Sequence, residues 1–179
     1  MHFQLDKSIA LLERTPNVYK TLLHGLGDWN TINEGSNTWS AWDIVGHLIF
    51  GEQTDWIPRM KLMLESEEVP TFQPYDRFAQ KALFVNKHVE ELLTEFETIR
   101  KENITMLKSW CLSEADLMTQ GIHPDLGPVT LKQLIATWTI HDMGHLNQLS
   151  RVMIKHYAQD VGPWKAYSKI LKDGGDYSL

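Results

Sequence analysis

The stretch Thr130-Leu131-Lys132-Gln133-Leu134-Ile135-Ala136-Thr137-Trp138-Thr139-Ile140-His141-Asp142-Met143-Gly144-His145-Leu146-Asn147-Gln148 opens with a helix-start signal and carries the chain's most telling polar residues. Thr130 and Gln133 have the spacing of a capping box, in which each side chain satisfies the other residue's backbone N–H. At about 100° per residue, Leu134, Thr137, Trp138, His141, His145, Gln148 and Val152 share one stripe, while Lys132, Asn147 and Ser150 point elsewhere. The stripe predicts that the two histidines face inward. Residues four apart lie one turn apart on the same face, so the two imidazoles can converge on one ion. Two surface imidazoles would give the same spacing. Burial favours the ion, because unpartnered buried imidazoles would each leave a polar nitrogen unsatisfied.

Three further segments show helical periodicity, and none shows sustained strand-like alternation. The first runs from Asp6 to Leu26, with Thr15-Pro16 expected to break or kink it. The second starts at Ser40, which can cap with Asp43, and runs through Ile44, His47, Leu48, Gly51 and Leu62 towards Glu67, with a bend at Pro58. The third spans Arg77 to Trp110, with an apolar side of Leu83, Val89, Leu92, Leu93, Phe96, Ile99 and Leu107 and a heavily charged polar side. Between it and the fourth helix, Gln120 to Pro128 has the turn residues of a compact loop. The fourth should extend to Gln159, followed by a short helix from Trp164 to Leu171 and the polar tail Asp173-Gly174-Gly175-Asp176. Four long amphipathic helices in 179 residues read as an all-α four-helix bundle with a short C-terminal helix, one domain over 1–179.

Apolar residues make up 42% and charged residues 22%, a globular composition, and no stretch reaches the roughly 18 apolar residues of a membrane span. The amino terminus carries no secretory signal pattern, so a soluble, cytoplasmic protein is expected. A net charge of −6 without a Lys/Arg cluster argues against a nucleic-acid partner. Cys111 is the only cysteine, which excludes both an internal disulfide and a multi-thiolate metal site. A metal must be held mainly by His, Asp or Glu.

Of the remaining six histidines, His47 is the best placed third ligand, because it lies on the expected buried face of the second helix. Gly51, one turn along, would leave space beside that imidazole, and Asp55 follows on roughly the same side. Pro58 cannot donate to the Thr54 carbonyl, which frees that oxygen for water or substrate. Alternatively, Gly51 permits close packing and Pro58 only bends the helix. Trp138, nearly one turn before His141, would wall a pocket, and Gln148 shares its stripe. Glu52 falls well off the His47 face, and Asp142 is expected to orient an imidazole or pair with another helix. A phosphate-binding glycine loop, a Gly-x-Ser-x-Gly elbow, a zincin Glu after His141 and inward Glu-x-x-His pairs for a di-iron centre are all missing, which favours a mononuclear site.

The loop from Gly121 to Thr130 leading into His141-Asp142-Met143-Gly144-His145-Leu146-Asn147-Gln148 resembles the DinB-like superfamily. So do Trp39-Ser40-Ala41-Trp42-Asp43-Ile44-Val45-Gly46-His47-Leu48 with Gly51-Glu52, Asp76-Arg77-Phe78, and Gly162-Pro163-Trp164, so the likeness covers nearly the whole chain. The resemblance implies a four-helix bundle with metal ligands at His47, His141 and His145, and a frequent homodimer. It also implies a functional range of thiol-dependent transferases, working with bacillithiol, mycothiol or glutathione, and of metal-dependent hydrolases.

Three neutral imidazoles leave positions open for water, a geometry compatible with Zn²⁺ or Ni²⁺ first, and with Fe²⁺, Co²⁺ or Mn²⁺. The leading expectation is an enzyme using one divalent ion to activate water or a low-molecular-weight thiol against a small electrophile. The competing expectation is a non-catalytic stress-response or binding protein in which the ion staples the bundle.

Overall fold

The computed structural model describes residues 2–76 and 78–171. Arg77, where the third helix was expected to begin, and the tail Asp173-Gly174-Gly175-Asp176 lie outside the described residues. The architecture is a four-helix bundle built from α1 (Leu5–Leu23), the pair α2 (Ala41–Thr54) and α3 (Trp56–Glu65), α5 (Val89–Ser109) and α6 (Leu131–Ile154), with a short α4 (Ala79–Phe84) between them. No described helix is long and apolar enough to cross a membrane.

Helix starts follow their capping chemistry. Ser40 Oγ accepts from the Asp43 N–H at 3.2 Å, while Asp43 Oδ2 accepts from the Ser40 N–H at 2.9 Å. Thr130 and Gln133 make the same reciprocal pair at the head of α6. The expected long third helix is instead two, because the chain leaves helix after Phe84 and restarts where the His88 N–H donates to Glu91 Oε2 at 2.8 Å. The second helix is divided at Asp55, three residues before the expected bend, because Pro58 lacks the N–H that would close on Thr54 and its ring crowds that carbonyl.

Pro16 does not interrupt α1, against expectation. A proline there leaves the Leu12 carbonyl without its helical donor. The buried guanidinium of Arg100 supplies one, with Nη1 donating to Leu12 O at 2.8 Å. The helix ends at Leu23 rather than Leu26, ahead of Gly25 and Gly27, whose φ of 79° and 56° suit glycine. At the other end α6 stops at Ile154 rather than Gln159 and tightens into a 3-10 turn over Lys155–Tyr157. The expected helix from Trp164 is a 3-10 turn, Gly162–Tyr167.

The compact loop before α6 is an antiparallel hairpin, β1 (Gln120–His123) and β2 (Gly127–Thr130), registered Gln120 to Thr130 and His123 to Gly127. Its four-residue strands are too short for the alternation that would have revealed them. His123 Nδ1 accepts from the N–H groups of Asp125 and Leu126 and rounds the turn. The segment before α4 adds to the hairpin: Ile122 N–H donates to Pro70 O at 2.8 Å and Phe72 N–H to Ile122 O at 2.9 Å.

The core falls into two apolar clusters. One holds Tyr19, Leu23, Ile44, Leu48, Leu92, Phe96, Leu149 and Val152; the other holds Leu12, Met60, Met63, Ile104, Leu107, Leu131, Leu134 and Trp138. Arg100 sits one turn from Phe96 and one from Ile104 on the same face of α5, so a charged residue separates them.

Candidate metal centre

The structure brings His47 of α2 and His141 and His145 of α6 together by their Nε2 atoms. His47 Nε2 lies 3.0 Å from His141 Nε2, and His145 Nε2 lies 3.1 Å from it. All three residues offer ligand atoms within 4.8 Å of one another. An imidazole nitrogen presents one in-plane site, either an N–H or a lone pair. His141 Nε2 therefore cannot make a full hydrogen bond to both neighbours. One ion accepting three lone pairs satisfies all three nitrogens. Metal–nitrogen bonds of about 2.05 Å place cis ligands about 3.3 Å apart in a tetrahedral site and about 2.9 Å apart in an octahedral one. The two spacings to His141 lie between these values, and all the ligand atoms lie within 4.8 Å of one another, so the donor set fits a divalent ion without selecting its identity.

The electrostatics keep the imidazoles in the ligating form. Burial, then the neighbouring His145 and His47 and the charge of Arg100, hold His141 well below the ordinary imidazole range. Burial also lowers His145, against the opposing pull of its bond to Gln148 and the charge of Asp142. Two of the outer ring nitrogens are anchored. His145 Nδ1 is 2.8 Å from Gln148 Oε1, and His47 Nδ1 is 3.3 Å from the Tyr75 hydroxyl. With Nε2 turned to an ion, each Nδ1–H donates outward, the arrangement that fixes tautomer and ring orientation in metal sites. His141 Nδ1 is buried without a hydrogen-bond partner among the described residues.

Aromatic rings enclose the cluster. Trp39 stands 4.7 Å from the His47 ring and 5.8 Å from that of His145, near-parallel to the latter at 13°. Trp56 meets His141 at 5.1 Å. Trp39, Trp56 and Tyr75 are absent from the sequence expectations because their helical or loop positions carry no ligand pattern. Only Trp39, eight residues before His47, lay within a quoted motif.

The other expected residues have different places. Gly51 does not leave open space: a Cβ there would stand 3.1 Å from Trp56 Nε1, so the gap is filled by the indole that abuts His141. Asp55 turns to Arg59, Nε to Oδ1 at 2.5 Å, and burial, partly offset by Arg59, pushes its carboxyl up to about 6. Gln148 serves His145 rather than an open position. Trp138 is fully buried, near-parallel to Trp56 at 6.1 Å, and donates Nε1–H to Glu52 Oε1 at 2.9 Å; it backs the wall and does not line it. The inward stripe of α6 is rotated from its expected position, since Thr137 is exposed and Asp142 is fully buried, while His141 and His145 stay partly exposed.

Behind the histidines lies a buried charge layer. Arg100 donates Nη1–H to Asp142 Oδ2 at 2.6 Å, and Nη2–H to Asp142 Oδ1 at 3.1 Å and Glu52 Oε1 at 2.7 Å. Asn103 Nδ2 donates to Glu52 Oε2 at 2.9 Å. Burial works against the Arg100 charge, but Asp142 and Glu52 outweigh it and raise its pKa further. Glu52 is raised by burial, with Arg100 opposing. Asp142 thus pairs with another helix, one of its two expected roles.

The DinB superfamily model matches residues 11–149. The chain belongs to the DinB superfamily. Among solved structures it is similar to YfiT from Bacillus subtilis, described as a probable metal-dependent hydrolase with an unusual four-helix bundle topology, at a TM-score of 0.72 and 22% identity over 86% of this chain and 87% of that one. At that identity the likeness to YfiT shows the fold alone. No curated protein matches this superfamily member.

Proposed function

We propose that this DinB superfamily protein is an enzyme holding one divalent metal ion on His47, His141 and His145 and acting on a small electrophilic substrate, by hydrolysis or by transfer to a low-molecular-weight thiol. The observation that carries the reading is the approach of three Nε2 atoms at 3.0 and 3.1 Å, which hydrogen bonding among the imidazoles does not satisfy. When bound, the ion supplies Lewis acidity that brings the pKa of a ligated water or thiol towards neutrality. The description of YfiT as a probable metal-dependent hydrolase supports the hydrolytic branch. The thiol branch rests on the sequence resemblance.

The chain's own residues hold and enclose the site. Tyr75 and Gln148 set the orientation of His47 and His145. Trp39 and Trp56 present aromatic faces to the imidazoles, which excludes water from their flanks and leaves the partly exposed side of His141 and His145 for entry. A purely structural ion is disfavoured by the Arg100 layer, which already ties α1, α2, α5 and α6 together through Leu12, Glu52 and Asp142.

Elemental analysis tests the site: about one divalent ion per chain is expected in the purified protein and little in His47→Ala or His145→Ala. Unchanged content in both variants would reject it. Loaded protein should then consume activated esters, or a thiol with an alkylating electrophile, and lose this activity on chelation. An inactive holo protein whose unfolding midpoint collapses on chelation would instead establish a stapling ion.

A further inference from the structure

Tyr75 lies far in sequence from each of the three clustered histidines, in the extended strap that links α3 to α4, yet its hydroxyl reaches His47 Nδ1. What holds an irregular segment there is visible in its neighbours. Phe72 is buried, and its ring occupies the seat of a missing side chain: a Cβ at Gly121 would stand 2.6 Å from Phe72 Cζ and 2.8 Å from Cε1. Two backbone hydrogen bonds, Ile122 N–H to Pro70 O and Phe72 N–H to Ile122 O, stitch the strap to β1 next to that seat. Arg59 closes the other side. Its Nη2 donates to Gln73 O at 3.1 Å, its guanidinium lies 5.0 Å over the Phe72 ring, and Asp55 holds its Nε. The strap is therefore fixed two and three residues before Tyr75. Phe50 meets the Tyr75 ring at 5.4 Å.

We propose that this buckle is a positioning device for the metal centre: Gly121, Phe72 and Arg59 set the strap so that Tyr75 orients His47, the one ligand contributed by α2. The inference rests on the metal reading above. Tyr75 acts through His47, whose Nδ1–H donates to the hydroxyl oxygen when Nε2 ligates. The hairpin thereby acquires a reason to precede the ligand helix α6.

The test uses the whole chain, stripped of metal and titrated with Zn²⁺ against a chromophoric chelator, and separately loaded with Co²⁺ for its visible absorption spectrum. Tyr75→Phe removes only the hydroxyl and should weaken Zn²⁺ binding by roughly 10- to 100-fold, the usual cost of losing an outer partner of a ligating histidine. It should also alter the Co²⁺ bands, a readout that loss of packing alone would leave unmoved. Gly121→Ala should expel Phe72 from its seat and weaken Zn²⁺ in the same direction, and the double variant should lose no more than the Tyr75→Phe single. Far-ultraviolet circular dichroism establishes that each variant is folded. A folded Tyr75→Phe with wild-type Zn²⁺ affinity and an unchanged Co²⁺ spectrum would overturn the proposal. So would a Gly121→Ala that unfolds more easily yet binds Zn²⁺ as tightly as wild type, or a double variant whose losses add. If the wild-type chain takes up no ion, the metal reading itself fails.

Discussion

Replacing Arg100 by Met tests how much of the bundle's stability depends on its buried charge layer. Methionine keeps an unbranched stem against Phe96 and Trp138, whose rings now lie 4.9 and 5.0 Å from the guanidinium, so the apolar contact largely survives. The charge does not. Asp142, wholly buried, loses donors to both oxygens, and the Leu12 carbonyl loses the Arg100 donor that stands in for the N–H Pro16 lacks. Glu52 keeps Trp138 and Asn103. Removing one member of a buried ion pair costs about 3–5 kcal/mol, and an orphaned carbonyl adds about 1 kcal/mol. Against a total of roughly 5–15 kcal/mol, this leaves the variant near its folding limit.

With a urea m-value of about 2.5 kcal/mol/M, the midpoint at pH 7.5 should fall by roughly 2 M, read by circular dichroism. The loss should also depend on pH. Without the guanidinium, the burial of Glu52 loses its main opposing influence and that carboxyl rises further. The unfolded chain releases its proton near pH 4 while the folded variant retains it, so stability falls as pH rises from about there. Adding Glu52→Gln and Asp142→Asn to Arg100→Met should recover part of the loss. A midpoint shift under about 0.4 M, equal at pH 5 and pH 8, would refute the reasoning.

Gly51→Ala should destabilise the fold by about 1 kcal/mol in thermal unfolding and change the fluorescence of the apo protein, because its Cβ stands 3.1 Å from a Trp56 indole held between His141 and Trp138, and the crowding outweighs the roughly 1 kcal/mol that alanine gains over glycine in a helix. Asp55 is raised to about 6 from an unfolded value near 4, so its contribution is fully present below that lower value and is lost as pH rises through 6; Asp55→Asn should flatten this slope in urea midpoints taken at pH 4.5 and 7. His141 is depressed, so the apo protein should lose stability as pH falls below about 6.5, where the unfolded chain takes up a proton the folded one refuses. His141→Asn should reduce that acid sensitivity in the same titration.

What was legible in the sequence was what regular helices carry. His141 and His145 are one turn apart, and His47 sits on a helix with an apolar face, so periodicity alone could place all three on inward or near-inward surfaces. The helix caps at Ser40 and Thr130 are local chemistry and appear as expected. The interruption after Phe84 was hidden because the apolar positions on either side keep a helical spacing across it. Tyr75 and Arg100 escaped for different reasons. Tyr75 is positioned by contacts with a hairpin some 50 residues away, which no local pattern encodes. Arg100 was not singled out among the many charges of its helix, although it lies four residues from both Phe96 and Ile104 and so falls on the apolar face.

The place of Glu52 and Asp142 shows why the charge layer and the metal centre belong together. Glu52 lies five residues after His47, roughly 140° round the helix and about 7.5 Å along it, and Asp142 follows His141 at about 100°. One guanidinium grips both carboxylates, which fixes the rotation of α2 and α6 about their own axes. Once those rotations are set, the faces bearing His47 and His141 have no freedom left, and they meet at 3.0 Å. A layer of apolar residues in the same positions could hold the helices together as tightly, but would tolerate small rotations that carry the imidazoles apart. Directional hydrogen bonds tolerate them less. The same residue therefore answers two demands of this bundle: it satisfies the carbonyl that Pro16 leaves open on α1, and it holds the two ligand helices in the register their histidines need.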